Sequence, residues 1–201
     1  GSGEPVLLRH GFLENSSMWN DYAKELSSTR QIIRVDLPGH GKSENIEVHS
    51  MDKMAEAVLL VLAFLKIEKV KIIGHSMGGF GAINTVGGCF DFTYKMLKEF
   101  GIPAPVALVM PLALNSCYAG RDKIDPRWKA VQLFAPWGGE YAVHSAEAMA
   151  NISVPTLYVA GDQDNTSGFT QGIEKLYKQT GGKHNYLLLF ENARHNIGPH
   201  P

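Results

Sequence analysis

The chain has 201 residues, 44% of them hydrophobic, with 19 Lys plus Arg against 20 Asp plus Glu and a formal net charge of -1. That length fits one domain that buries a core without staples. The balanced charge, with no basic or acidic block, excludes nucleic acid or an anionic membrane as the main partner. No run approaches the roughly 20 apolar residues of a membrane helix, and no signal peptide opens the chain. Gly1-Ser2-Gly3 has the character of a cloning scar, which would also hide a removed leader. The expected location is the cytoplasm. Cys89 and Cys117 are too few for a disulfide framework in a chain of this length, and both are expected to be free thiols.

Short apolar runs alternate with helical patterns along the chain. Strands are predicted at residues 6–9, 31–36, 70–73, 130–134, 156–160 and 186–190. They are too short for helices and mostly unalternating, as strands buried on both faces should be. Helices are predicted at residues 17–26, capped by Ser16 or Ser17, at 50–65 with Ser50 as cap, at 77–86 and at 169–179. This βαβα order implies an α/β fold: a mostly parallel sheet of about six strands with helices on both faces. One domain over residues 1–201 is expected. Residues 90–128 break the rhythm with an amphipathic helix at 92–100, a proline-spaced apolar piece at 102–114, and a polar loop through Arg121 and Asp125. They read as a small lid-like insertion over the sheet; the alternative is an ordinary crossover with an elaborated loop.

At the end of the third strand the chain reads Gly74-His75-Ser76-Met77-Gly78, the pattern G-x-S-x-G between a strand and a helix. A serine there is forced into a tight turn that lifts its hydroxyl clear of the sheet. The flanking glycines remove side chains that would collide, and the following helix N-terminus aims N–H groups at developing charge. Gly79 and Gly81 permit close approach of helix to sheet. Gly41-Lys42-Ser43 resembles the end of a phosphate-binding loop, but Asp36 stands where that loop needs a glycine.

A serine hydroxyl needs a base, and the base an orienting group. In a parallel sheet such groups gather at the carboxyl ends of strands. His195 follows the last strand and is the candidate base; His75, His144, His184 and His200 are poorly placed for that role. After the fifth strand comes Gly161-Asp162-Gln163-Asp164, and both aspartates are eligible by position. Asp36 precedes a turn-rich run and reads as a structural hydrogen-bond acceptor.

With "RHGF", "DLPGHGKS", "GHSMGG", "VAGDQD" and "ARHN" in this order, the sequence resembles the α/β-hydrolase superfamily of the serine esterase/lipase type over nearly its whole length. The resemblance implies a Ser76/Asp164/His195 triad, because the family's acid usually falls three residues after the glycine; Asp162 is the reserve. It implies an oxyanion hole from the backbone N–H groups of Phe12 and Met77, with His10 structural. It implies a carboxylic-ester hydrolase acting on small or medium acyl esters through an acyl-enzyme, with no metal and no organic cofactor. The alternatives are a thioesterase, lactonase, C–C hydrolase or perhydrolase with the same triad, or a non-catalytic ligand-binding member of the fold. Phe12, Met77, Trp137 and Tyr141 are candidates to line an acyl pocket.

The chain also departs from the family pattern. The usual first antiparallel strands and the closing helix are missing, so residues 31–36 become an apolar sheet edge. Self-association through that edge, or a fragment of a longer protein, is expected. Residues after about Phe80, especially "FAPWGGEY", are similar to the cap-poor dienelactone-hydrolase-like and cutinase-like branch, as a recombined or engineered chain would be.

Overall fold

The computed structural model describes residues 1–11, 13–47, 49–118 and 124–197. Among them, six strands form one sheet: β1 (Pro5–Arg9), β2 (Gln31–Arg34), β3 (Val70–His75), β4 (Trp128–Phe134), β5 (Thr156–Gly161) and β6 (Asn185–Phe190). The order is β2-β1-β3-β4-β5-β6, and each neighbouring pair is parallel. β2 lies at one edge, as expected, but it ends two residues early. Its successor Asp36 turns to accept the Ser16 and Lys42 N–H groups at 2.6 and 2.9 Å, the structural role its sequence context predicts.

Alternation along the strands divides the core between two faces. Leu7, Ile33, Ile72, Val131 and Tyr158 face one side. There they pack against α2 (Met51–Phe64), α3 (Met77–Thr85), α6 (Ala146–Ala150) and α7 (Glu174–Gln179). Val6, Leu8, Ile73, Phe134 and Val159 face the other side, where Trp19 and Ala23 cover them. Those two residues belong to a 3-10 turn (Ser16–Trp19) and α1 (Asn20–Leu26). The cap of that turn is Asn15, whose side chain accepts from Ser17 N–H, not Ser16 or Ser17. Ser50 caps α2 as predicted. On the second face Tyr186, Leu188 and Phe190 of β6 are left exposed.

Two elements in the least regular region differ from expectation. Residues 102–114 contain a regular helix, α5 (Ala104–Leu114). Pro103 and Pro105 sit at its start, where a missing N–H costs nothing, and only Pro111 forgoes a helical hydrogen bond. It pairs with α4 (Tyr94–Glu99), capped by Thr93, through Met96, Leu97 and Ala107. The second difference is a correction: Cys89 and Cys117 form a disulfide. The two helices return the chain so that Ser116 Oγ accepts from Phe90 N–H and Asn115 Oδ1 from Phe92 N–H, which sets the thiols side by side. Closing a 28-residue separation is worth roughly 3–4 kcal/mol in the loop-entropy account. Such a bond persists in oxidising compartments. No helix among the described residues is long and apolar enough to cross a membrane.

His144 anchors the same region. Its Nδ1–H donates to Cys89 O at 3.0 Å, and Nε2 is buried without a partner. Burial pushes its pKa down to about 4. Between about pH 6.5 and 4 the unfolded chain therefore binds a proton that the folded one refuses. Stability is complete above that window and falls as pH is lowered through it. His144→Gln keeps a donor and removes the titration. Urea unfolding of both proteins at pH 7 and pH 5 should show the wild type losing about 2 kcal/mol more than the variant; equal losses would refute this account.

Candidate active site

The turn after β3 is built by close backbone contacts. Ser76 sits at φ 52°, ψ -118°, a conformation that L side chains rarely adopt. Its N–H donates to Phe134 O of β4 at 3.0 Å, and its carbonyl accepts from Phe80 and Trp137 N–H. A Cβ on Gly74 would strike the Gly78 and Gly79 backbone; one on Gly78 would lie 2.5 Å from the carbonyls of Arg9 and His10. The flanking glycines are thus required by backbone on both sides. A Cβ on Gly79 would lie 3.0 Å from Pro136, and Gly81 makes room for the Arg9 guanidinium rather than for the sheet itself.

His195 arrives from the segment after β6. Its Nε2 lies 3.0 Å from Ser76 Oγ, and its Nδ1 lies 2.9 and 3.1 Å from the two Asp164 oxygens. Nδ1 donates to the carboxylate, which leaves Nε2 as the acceptor facing the hydroxyl. Asp164 is buried after β5, and its Oδ1 also accepts from Thr166 and Ser167 N–H at 2.8 and 2.9 Å. Burial pushes its carboxyl up, but the His195 hydrogen bond and the two backbone N–H groups outweigh it and hold the group below the ordinary carboxylate value. Asp162, the reserve acid, is exposed. Three residues far apart in sequence are therefore brought together, one from each of three strand ends.

The oxyanion candidates are only half described. Met77 opens α3, where the first N–H groups have no partner within the helix. Phe12 lies outside the described residues. The loop before it is held by His10, which is buried and neutral by its contacts: Nδ1–H donates to Gly11 O at 2.9 Å and Nε2 accepts Leu37 N–H at 3.1 Å. Trp137 is edge-on to Phe80 and tilted against Tyr141, which meets Phe100 beside α4. Both candidate pocket residues thus stand between the serine turn and the 90–128 segment. No group of three or more His, Cys, Asp or Glu among the described residues is arranged to hold a metal ion.

Sequence reasoning missed three supports. Ser167 Oγ donates to Ala135 O at 2.9 Å and lies 3.5 Å from His195 Nδ1. His75, buried beside Ser76, holds its ring tilted against that of His195, 5.2 Å between centroids. Glu14 accepts Gly11 N–H at 2.6 Å and approaches His75 Nδ1 at 3.4 Å. Ser167 and Glu14 belong to no motif, and His75 fills an unspecified position of G-x-S-x-G; only folding brings them in.

A profile of the α/β hydrolase fold matches residues 4–86. An esterase from Rhodococcus superposes with a TM-score of 0.68 at 15% identity, covering 97% of this chain and 84% of that one. The chain is an α/β-hydrolase-fold protein. Among curated proteins, the dihydrolipoyllysine-residue acetyltransferase component of the acetoin cleaving system of Pseudomonas putida is 38% identical over 141 residues, 66% of this chain and 36% of that protein. The 3-oxoadipate enol-lactonase 1 of Acinetobacter baylyi is 28% identical over 196 residues, 83% of this chain and 74% of the relative. The chain spans 36% and 34% of the length of the first curated relatives it matches.

In this α/β-hydrolase-fold chain a Cβ on Gly78 would meet only backbone, 2.5 Å from the carbonyl oxygens of Arg9 and His10. Gly78→Ala has no flexible side chain to displace and should cost about 1–3 kcal/mol of stability. Urea unfolding of variant and wild type measures it; an unchanged midpoint would mean that the turn is looser than described.

Proposed function

We propose that this α/β-hydrolase-fold chain is a carboxylic-ester hydrolase acting on small or medium acyl esters. The observation that carries the proposal is the His195 ring, held between Ser76 Oγ at 3.0 Å and Asp164 at 2.9 Å. Ser76 Oγ attacks the ester carbonyl while His195 Nε2 takes its proton. Asp164 holds the ring by Nδ1–H and stabilises the imidazolium. The oxyanion forms at the N–H groups of Met77 and Phe12. Collapse breaks the bond to the alcohol oxygen, which takes the proton from Nε2, and leaves the acyl group on Ser76. Water, deprotonated by Nε2, then attacks the acyl-enzyme and releases the acid and the free serine.

Trp137, Tyr141 and Met77 line the acyl side in this proposal, with α4 and α5 of the 90–128 segment as a lid over them. Their apolar character suits a hydrocarbon chain rather than a charged acid. A lactone is an internal ester and opens by the same steps. The enol-lactonase relative, matched over 83% of this chain, makes this the second reading.

The test is hydrolysis of p-nitrophenyl esters of increasing acyl length. Ser76→Ala and Asp164→Asn should lower kcat on the order of 10³-fold or more, whereas Asp162→Asn should leave it within about twofold. Turnover independent of Ser76, or loss of activity only with Asp162→Asn, would overturn the assignment.

A further inference from the structure

A cavity of about 290 Å³ is lined by residues of α2 and α3, and none of Ser76, Asp164 or His195 lines it. Its walls are largely apolar, formed by Leu7, Val58, Leu59, Ile72 and Phe90. Among its described polar lining residues the one cation is Arg9. As the last residue of β1 it shares the face of Leu7, so the strand's alternation drives its guanidinium inward between β1 and α3. There it rests against Gly81, where any Cβ would strike it.

Arg9 is only 9% exposed, and its Nε–H is buried without a hydrogen-bond partner. Burial lowers its pKa to about 10, and none of the ion pairs among the described residues involves it; the group is still a cation at neutral pH. Asp125 also borders the cavity, but its carboxylate is taken by Arg127 Nε at 2.9 and 3.0 Å. Asn84 contributes a further unpartnered amide, at Oδ1. An uncompensated buried cation is costly to keep. The forked guanidinium is matched to a carboxylate, and among the described lining residues no second cation is present to balance a doubly charged phosphate.

We propose that this cavity binds a small amphipathic monocarboxylate, with its carboxylate on the Arg9 guanidinium and its hydrocarbon body against Leu7, Val58, Leu59 and Ile72. The site is independent of the hydrolytic reading. It stands even if Ser76 performs no chemistry.

Octanoate is the probe, measured by calorimetric titration, with 1-octanol and inorganic phosphate as controls. Wild type should bind octanoate saturably at millimolar concentration or below, and phosphate and octanol at least about tenfold more weakly. Arg9→Leu should fold, because it removes a buried unpaired charge, and should lose octanoate affinity by about tenfold or more. Ala55→Trp, at the α2 margin of the cavity, should weaken octanoate while keeping Arg9, and carries the test if Arg9→Leu does not fold. Wild-type affinity for octanoate in both variants, no binding in wild type, or phosphate binding as tight as octanoate would each overturn the proposal.

Discussion

The site depends on one strained residue. Ser76 at φ 52° is a conformation that costs on the order of 1–3 kcal/mol, and it persists because the surroundings allow nothing else. A Cβ on Gly74 or Gly78 would strike backbone, Phe134 O holds the Ser76 N–H, and Ser76 O accepts two N–H groups. Relaxing φ would break these together. In return the turn raises Oγ to the sheet's edge and starts α3 one residue later, so that hydroxyl and helix N-terminus share one point in space.

The all-parallel sheet supplies the rest. Every strand ends on the same side, so Asp164 after β5 and His195 after β6 reach the level of Ser76 after β3, although 119 residues separate Ser76 from His195. The acid is fixed first, by the Thr166 and Ser167 N–H groups; the imidazole is then oriented by the acid. This order of dependence makes Asp164 a better-supported partner than Asp162, which has the same strand end but an exposed side chain.

Much of this was legible in the sequence, and for a physical reason. Strands buried on both faces read as short apolar runs, and the six predicted runs coincide with the six strands to within two residues. The G-x-S-x-G spacing marks the turn because only glycine fits beside it. The acid was different: position left Asp162 and Asp164 open, and only the resemblance chose between them. The rest failed where information is non-local. The five-residue α6 is too short to carry a periodicity. The prolines of residues 102–114 hid α5 because two of them stand at its tolerant start. The Cys89–Cys117 bond follows from the fold-back of two helices, which no spacing encodes. Arg9 read as the end of a strand and a letter of a motif, with nothing to indicate that its charge points into the core.

The central claim is that Ser76, His195 and Asp164 act as one unit. The most direct measurement is intact-mass and peptide analysis after treatment with a fluorophosphonate, which reacts with serines whose proton is removed by a neighbouring base. A single adduct on Ser76, formed rapidly by the wild type and slowed by orders of magnitude in His195→Ala, is the expected result. No adduct on a folded sample, or labelling of Ser76 unaffected by the loss of His195, would contradict it.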